Sequence, residues 1–352
     1  MSFGNQSGPH AIGFKDEFLE ESGLTYRLFY PMSQPSTLPS TLWVSNTSYL
    51  IALVRFGLGR RVWPVFTDFF HWIFRYPHLP ILQEASPLPG PFPLVLFSHG
   101  LGGSKMTYSK LCTHIASYGF VVASLEHLDG SAALALRYPD TWIDYQAPHQ
   151  KNNSLPFRNS QIDTRIQELR SVQKALRSKP FIDENKSILC GHSFGAATIL
   201  ALLHEDPSVY LGGVAYDTWV DPLSQRQAVL DNAHQIGSRT LLFNNELFIK
   251  KVNQDLLKAF DNGIDNNWTL KGILHFCQSD VPTVVKNARL LPYLLRGRFD
   301  FERDEKGFDL SVLAFVHYVR NKLLTTEEGN ETKNTHFNDF IEEHKDFIFK
   351  GV

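Results

Sequence analysis

Short apolar runs recur along the chain, and longer stretches with helical or mixed patterning separate them. Apolar runs of about four to eight residues are typical of buried strands, whereas apolar residues at helical spacing indicate helices. We predict helices over Ser160–Ser178 and Leu310–Leu324, a loop over Tyr138–Phe157, and an alternating edge strand over Leu24–Pro31. Buried strands are predicted over Pro93–Phe97, Gly119–Leu125, Ser187–Cys190, Leu211–Tyr216, Arg239–Asn244 and Thr269–Leu274. This alternation predicts an α/β fold with a mostly parallel central sheet flanked by helices.

The segment Gly191–Gly195 reads Gly-His-Ser-Phe-Gly and joins a predicted strand to Ala196–Leu203, which is rich in helix formers. A G-x-S-x-G sequence at a strand-to-helix turn is the nucleophile elbow of α/β-hydrolase folds, where the turn exposes the serine hydroxyl. The flanking glycines let the strand and the helix approach each other without a Cβ clash. Because the pattern arises by chance in about one such chain in ten, Ser193 needs partners to qualify as a nucleophile.

Candidate partners follow Ser193 in the order that this fold uses, with the acid first and the histidine later. Asp217 ends the predicted strand at 211–216, and His275 follows the predicted strand at 269–274. A serine hydroxyl needs an imidazole to accept its proton, and the imidazole needs a carboxylate to fix its tautomer. We therefore assign Ser193 as nucleophile, His275 as general base and Asp217 as acid, with Asp221 as the alternative acid.

The glycine-rich segment Ser98–Ser104 follows an early apolar strand and presents backbone N–H groups. In α/β hydrolases the oxyanion hole combines the N–H after the nucleophile with one from such a loop. These donors are predicted to be Phe194 and Leu101. A phosphate-binding loop is the competing interpretation, but the sequence completes neither a Walker pattern nor a dinucleotide-binding glycine pattern.

Four segments together resemble the platelet-activating factor acetylhydrolase family, the calcium-independent group VII phospholipases A2. They are Phe97–Gly102, Leu125–Ala132, the serine elbow, and Ala215–Trp219 followed by Pro222-Leu223. The resemblance runs from about residue 23 to residue 322. It implies hydrolysis of the sn-2 ester of phospholipids that carry acetyl, other short, or oxidatively truncated acyl chains. The family's nucleophile, acid, base and oxyanion donors fall on Ser193, Asp217, His275, Leu101 and Phe194.

An aromatic-rich insertion is predicted at residues 41–90, with seven aromatic residues between Trp63 and Tyr76. Arginines at 55, 60 and 61 and a proline at 64 prevent this segment from matching a membrane-spanning helix. It either packs on the sheet or lies on a bilayer surface. We expect Val62 and Trp63 to be the exposed membrane contacts, since members of the family use a hydrophobic patch near here.

The chain is nearly neutral, with 34 Lys and Arg against 36 Asp and Glu, so its net charge does not favour binding to a strongly charged partner. We therefore expect a phospholipid substrate and no nucleic acid. No metal-binding spacing such as H-E-x-x-H or paired C-x-x-C is present, so we expect no metal and no cofactor. His99 and His127 also follow predicted strands, but neither suits the order of the triad, and we interpret both as histidines bonded to backbone that pack the loop.

Three widely spaced cysteines, Cys112, Cys190 and Cys277, indicate reduced buried thiols. Residues 1–9 have neither a basic start nor an apolar run, so we expect no secretory signal and a cytoplasmic enzyme, with peripheral membrane binding as an option. A chain of 352 residues with 43% hydrophobic content fits one domain. We expect residues 1–22 to be a mobile N-terminus and residues 325–352 to be a C-terminal extension.

Two other classes share these features. A broader carboxylesterase or neutral lipase would use the same catalytic residues on other esters. A non-catalytic lipid-binding homologue would keep the fold, although such proteins usually lose one member of the triad, and all three are present here.

Overall fold

A ten-stranded sheet runs through the part of the chain that the computed structural model describes. The described residues are 6–35, 37, 40–44, 46–57, 77–148, 154–262, 266–288, 299–325 and 330–351, with the side chains of 330–336 excluded. The strands are β1 (Ala11–Phe18), β2 (Thr25–Met32), β3 (Thr41–Leu42), β4 (His78–Leu79), β5 (Leu82–Gln83), β6 (Phe92–Ser98), β7 (Val121–Leu125), β8 (Leu134–Arg137), β9 (Thr141–Asp144), β10 (Ile182–His192), β11 (Gly213–Tyr216), β12 (Thr240–Asn245), β13 (Asn267–Leu270) and β14 (Ile348–Lys350).

The order of strands in the sheet is β14-β13-β12-β11-β10-β6-β7-β2-β1-β5. The six strands from β13 to β7 in this order are parallel to one another, while β14 and β2 pair antiparallel at the two ends of this set. After β6 the chain adds β7 on one side of it, and it then returns to add β10 on the other side. The carboxyl ends of β6 and β10 therefore meet at the switch point where α/β folds place their ligands.

Alternate residues of each central strand face two separate apolar layers, because successive side chains of a strand point to opposite faces. Val95 and Phe97 of β6 pack in one layer, and Leu94 and Leu96 pack in the other. Helices cover both faces. They are α1 (Thr47–Gly57), α2 (Ser109–Ser117), α3 (Ser154–Leu176), α4 (Phe194–Glu205), α5 (Gln227–Asp231), α6 (Ala233–Gly237), α7 (Glu246–Ile249), α8 (Gln254–Ala259), α9 (Val281–Asn287), α10 (Phe301–Tyr318) and α11 (Asn330–Glu343), with a 3-10 turn at Asp221–Gln225 and a π turn at Val319–Leu323.

Five of the six predicted buried strands are present, and the sixth, Thr269–Leu274, coincides with β13 only at Thr269 and Leu270. Several other expectations are wrong. The predicted edge strand over Leu24–Pro31 is β2, which lies between β7 and β1 and is buried at all eight positions. Residues 1–22 are not simply mobile, because Ala11–Phe18 pairs along its full length with β2. The predicted loop over Tyr138–Phe157 contains β9 of a two-stranded hairpin and the start of α3.

Strands from residue 11 to residue 350 join the same sheet. This continuity supports our proposal that the whole chain folds as one domain. Residues 325–352 include β14, which extends the sheet beyond β13. Within the described residues, the helices are all too short or too polar to span a membrane.

Candidate active site

Ser193 occupies the turn between the end of β10 at His192 and the start of α4 at Phe194. Its backbone is in the left-handed region, with φ 56° and ψ −114°, which is strained for a residue with a side chain. At this turn α4 passes very close to the end of β6 and the loop that follows it. A Cβ on Gly195 would overlap the carbonyl oxygen of Ser98, so only glycine fits there.

The side chains of Ser193, His275 and Asp217 form a continuous hydrogen-bonded chain. His275 Nε2 lies 3.1 Å from Ser193 Oγ, and His275 Nδ1 lies 2.9 Å from Asp217 Oδ2. Asp217 is fully buried, whereas Ser193 and His275 keep some exposure, 7% for Ser193 and 23% for the side chain of His275. An arrangement of this kind lets the imidazole accept the serine proton while the carboxylate holds the opposite ring nitrogen. The alternative acid, Asp221, begins the 3-10 turn and accepts a hydrogen bond from the backbone of Asn253 instead.

Asn245, at the end of β12, holds Asp217 in place. Its backbone N–H donates to Asp217 Oδ1, and its Nδ2 donates to Asp217 Oδ2 at 2.5 Å. Burial raises the pKa of Asp217, and these two hydrogen bonds act against that rise by favouring the charged form. Asn245 is not among the site residues predicted from the sequence. The signal in the sequence that could have identified it is its position, since it is a polar residue at the carboxyl end of a central strand.

His275 lies on a loop five residues beyond the end of β13 at Leu270, so the expectation that a strand runs directly into it is wrong. Contacts from other elements hold the loop instead. His192 Nε2 donates to the carbonyl of His275 at 2.9 Å, and Asn245 Nδ2 donates to the carbonyl of Leu274 at 3.1 Å. The ring of Phe248 stacks on the imidazole with centroids 3.7 Å apart. Burial lowers the pKa of His275, which keeps the ring neutral and able to accept a proton.

The candidate oxyanion donors, Phe194 and Leu101, lie on segments next to Ser193. A Cβ on Gly100 would lie 3.1 Å from Ser193 Cβ, so the loop carrying Leu101 passes directly beside the serine. Within the described part of the chain, neither the N–H of Leu101 nor that of Phe194 donates to a protein acceptor. Two free N–H groups beside a nucleophile are what an oxyanion hole requires. Their catalytic role stays a prediction.

His99 and His127 are both fully buried next to this loop. His99 Nδ1 donates to the carbonyl of Gly100, as expected for a histidine that packs the loop. His127 differs from its expected backbone bonding, since its ring contacts Ser98 Oγ at 2.8 Å and Glu168 Oε2 at 2.6 Å. This set repeats the serine, histidine and acid order of the triad, but burial closes it off from substrate.

One group of side chains within the described residues has the composition of a metal site, namely His192, Asp217 and His275, whose ligand atoms lie within 4.8 Å of one another. Their donor atoms are already engaged. His192 Nε2 donates to a carbonyl, and Tyr108 Oη lies 2.8 Å from His192 Nδ1. A nitrogen that carries a proton cannot bind a metal, so the cluster fits proton transfer better. Val62 and Trp63, the predicted membrane contacts, lie outside the described residues.

Comparison with solved structures places the fold. A ferulic acid esterase from Streptomyces cinnamoneus aligns with a TM-score of 0.64 over 94% of this chain and 97% of its own, at 16% sequence identity. Together with the parallel sheet and the strand-to-helix elbow, this likeness identifies the fold of the chain as the α/β-hydrolase fold.

The chain belongs to the platelet-activating factor acetylhydrolase family. The family model described as platelet-activating factor acetylhydrolase, isoform II, matches residues 1–179 and 177–339. A platelet-activating factor acetylhydrolase from Bos taurus is 30% identical over 360 residues, covering 90% of this chain and 76% of the bovine protein. One from Canis lupus familiaris is 30% identical over 62% of this chain and 55% of the dog protein. The chain is thus a phospholipid ester hydrolase by family.

Proposed function

We propose that this protein is a serine esterase that hydrolyses the sn-2 short-chain or oxidised acyl ester of phospholipids such as platelet-activating factor. Ser193 is the nucleophile, His275 the general base and Asp217 the acid. The observation that carries the proposal is the unbroken hydrogen-bonded chain from Ser193 Oγ through His275 to Asp217 at a strained strand-to-helix turn. Relatives that bear the name platelet-activating factor acetylhydrolase support the substrate class.

The reaction proceeds in two acyl-transfer steps. His275 Nε2 takes the proton of Ser193 Oγ as the oxygen attacks the sn-2 carbonyl carbon, and the N–H groups of Leu101 and Phe194 bind the resulting oxyanion. His275 then gives that proton to the departing alkoxide, which leaves as the lysophospholipid and breaks the ester bond. Water, deprotonated by His275, attacks the acyl-serine, releases the fatty acid and restores Ser193.

The base, the acid and the oxyanion donors all come from the polypeptide, so we propose that neither calcium nor any other metal or cofactor takes part. Chelation provides the test. Hydrolysis should proceed at the same rate after dialysis against EDTA and EGTA. A loss of activity that calcium restores would contradict this part of the proposal.

We further propose that the protein binds membranes peripherally and acts in the cytoplasm. Two exposed apolar side chains support membrane contact. Phe276, which is 49% exposed, follows His275 in sequence, and Leu247, which is 39% exposed, precedes Phe248, whose ring stacks on His275. The three unpaired buried cysteines support a reducing compartment. Trp63→Ala should weaken binding to phosphatidylcholine liposomes and leave hydrolysis of a soluble ester intact, whereas unchanged liposome binding would exclude Trp63 from the contact.

Covalent trapping and an acyl-length series test the function directly. An organophosphate should label wild-type protein at Ser193 and fail to label Ser193→Ala, and labelling of the alanine variant would refute the nucleophile. Short-chain and oxidised phospholipids should be hydrolysed faster than long-chain phospholipids. Equal rates on simple esters and long-chain lipids would instead identify a broader carboxylesterase or neutral lipase, and absence of both labelling and hydrolysis would identify a non-catalytic lipid binder.

A further inference from the structure

Arg165 lies on the sheet-facing side of α3 and is fully buried beside the candidate oxyanion hole. Its guanidinium joins α3 to two other segments of the chain, the loop after β6 and the turn at Asp129–Ser131. Nε donates to Asp129 Oδ2 at 2.8 Å, Nη1 donates to the carbonyl of His99 at 2.6 Å, and Nη2 donates to Ser131 Oγ at 2.5 Å. The planar fork of arginine can make these bonds together, whereas a lysine ammonium offers a single point of contact.

These contacts hold the backbone on both sides of Leu101. The His99 carbonyl, two residues before Leu101, is bonded to Arg165 directly. One residue after Leu101, the N–H of Gly102 donates to the carbonyl of Ser131 at 2.8 Å, and Ser131 is itself bonded to Arg165. The N–H of Leu101 is therefore presented by a short segment whose two ends are tied to the same guanidinium.

The other candidate donor is in contact with the same group. The guanidinium of Arg165 lies over the ring of Phe194, 4.5 Å from its centroid, and the N–H of Phe194 is the second predicted oxyanion donor. One rigid side chain thus touches both walls of the hole, at His99 and at Phe194.

A buried ion pair is seldom retained for stability, because desolvation of the two charges consumes much of their attraction. Asp129 and Arg165 are both fully buried in their side chains, and Asp129 Oδ1 also accepts from the N–H of Ser131. The pair thereby fixes the geometry of the Ser131 turn as well as that of the loop after β6. Positioning is the role that this arrangement serves.

We propose that Arg165 is a positioning residue that sets the separation of the Leu101 and Phe194 N–H groups and so tunes the oxyanion hole to the tetrahedral intermediate. This inference rests on the proposed serine-esterase function. A misplacement of about 1 Å in catalytic geometry costs on the order of 100-fold in rate. Substrate in its ground state does not need the hole, so its binding should be unaffected.

Arg165→Lys keeps the charge opposite Asp129 and removes the fork. We expect kcat for a short-chain phospholipid to fall about 10- to 100-fold with KM within about threefold. A trifluoromethyl ketone analogue, which forms an oxyanion with serine, should lose affinity by a similar factor. A non-hydrolysable ether analogue of the substrate should bind the variant as tightly as it binds wild type. A general structural defect would weaken the binding of this analogue as well.

Arg170→Lys is the matched control, because Arg170 lies on the same helix but pairs with Asp206 and Glu205 away from the site. Arg170→Lys should leave kcat, KM and the affinities for the ketone and the ether analogue unchanged. Ser131→Ala removes one of the three links and should reduce kcat and ketone affinity several-fold in the same pattern, even if Arg165→Lys fails to fold.

Two outcomes overturn the inference. In the first, the wild type is active and Arg165→Lys has the same kcat as the wild type. If Arg165→Lys does not fold, the same result for Ser131→Ala overturns the inference. In the second, the variant loses affinity for the ketone and for the ether analogue together. A wild type that neither hydrolyses the lipid nor binds the ketone would refute the proposed function itself, and the inference with it.

Discussion

Asn245 offers the sharpest test of the site, because one side chain supports both the acid and the loop of the base. Its Nδ2 donates to Asp217 Oδ2 at 2.5 Å, and to the Leu274 carbonyl and Gln278 Oε1 at 3.1 Å each. A hydrogen bond to a buried charge contributes about 1.5–3 kcal/mol. If Asn245→Ala removes that much support from the charged triad in the transition state, kcat falls about 10- to 150-fold, at about 1.4 kcal/mol per factor of ten.

The same substitution should move the pH profile. The Asn245 side-chain hydrogen bond helps to hold the pKa of Asp217 down against the effect of burial, so its loss raises that pKa further, while the backbone N–H bond to Asp217 remains. The carboxylate then protonates at a higher pH, so the acidic limb of kcat/KM shifts upward in Asn245→Ala. The assay is steady-state hydrolysis of a short-chain phospholipid across the acidic range, together with the free energy of unfolding from urea titration.

Asn266→Ala is the matched control. Asn266 is also a buried amide, and its Nδ2 donates to the carbonyls of Gly237, Thr240 and Phe260 away from the triad. Both variants should lose comparable stability, but Asn266→Ala should keep kcat within about twofold of wild type, since nothing in its contacts reaches the reacting groups. A kcat within about twofold of wild type in Asn245→Ala, or an equal fall in both variants, would refute the reasoning.

Two further predictions concern packing around the elbow and the thiols. Gly195→Ala forces a Cβ into the carbonyl of Ser98 and should destabilise the protein by about 1–3 kcal/mol or more in urea titration. Gly57→Ala, with open space around it, should change stability by less than about 1 kcal/mol. Equal effects of the two substitutions would show that the backbone at Ser98 moves away to accommodate the added Cβ. A thiol reagent such as DTNB should leave the native protein unmodified and react with three thiols in denaturant, because burial raises the pKa of each cysteine; rapid native reaction would place a thiol at the surface. The three are Cys112, Cys190 and Cys277.

The central strands and the elbow were predictable because their signals are local. A run such as Leu94–Phe97 is apolar at every position, which reports burial on both faces, and Gly191–Gly195 is a contiguous pattern. The order of Ser193, Asp217 and His275 then follows from topology. The alternation of apolar and polar residues in Leu24–Pro31 predicted an edge strand, and this prediction is wrong. The polar residues of β2 are buried because they have partners, such as Asp16 for Arg27.

The supporting residues of the site could not be predicted, since their roles depend on contacts between distant parts of the chain. Arg165 appears in sequence as an ordinary helical arginine, and only the packing of α3 brings it to the His99 carbonyl. His192 and Phe248 hold the loop of His275 through contacts that no local pattern encodes. The five-residue offset between the end of β13 at Leu270 and His275 is similarly set by tertiary packing.

Two segments from outside the parallel core also border the loop after β6. The ring of Phe56 on α1 packs against Gly102 and meets Tyr145, just after the β8–β9 hairpin, edge-on at 4.8 Å. The loop that carries one candidate oxyanion donor is thereby enclosed partly by peripheral additions as well as by the elements at the switch point. Such surface additions vary more readily between relatives than the strands and helices of a core.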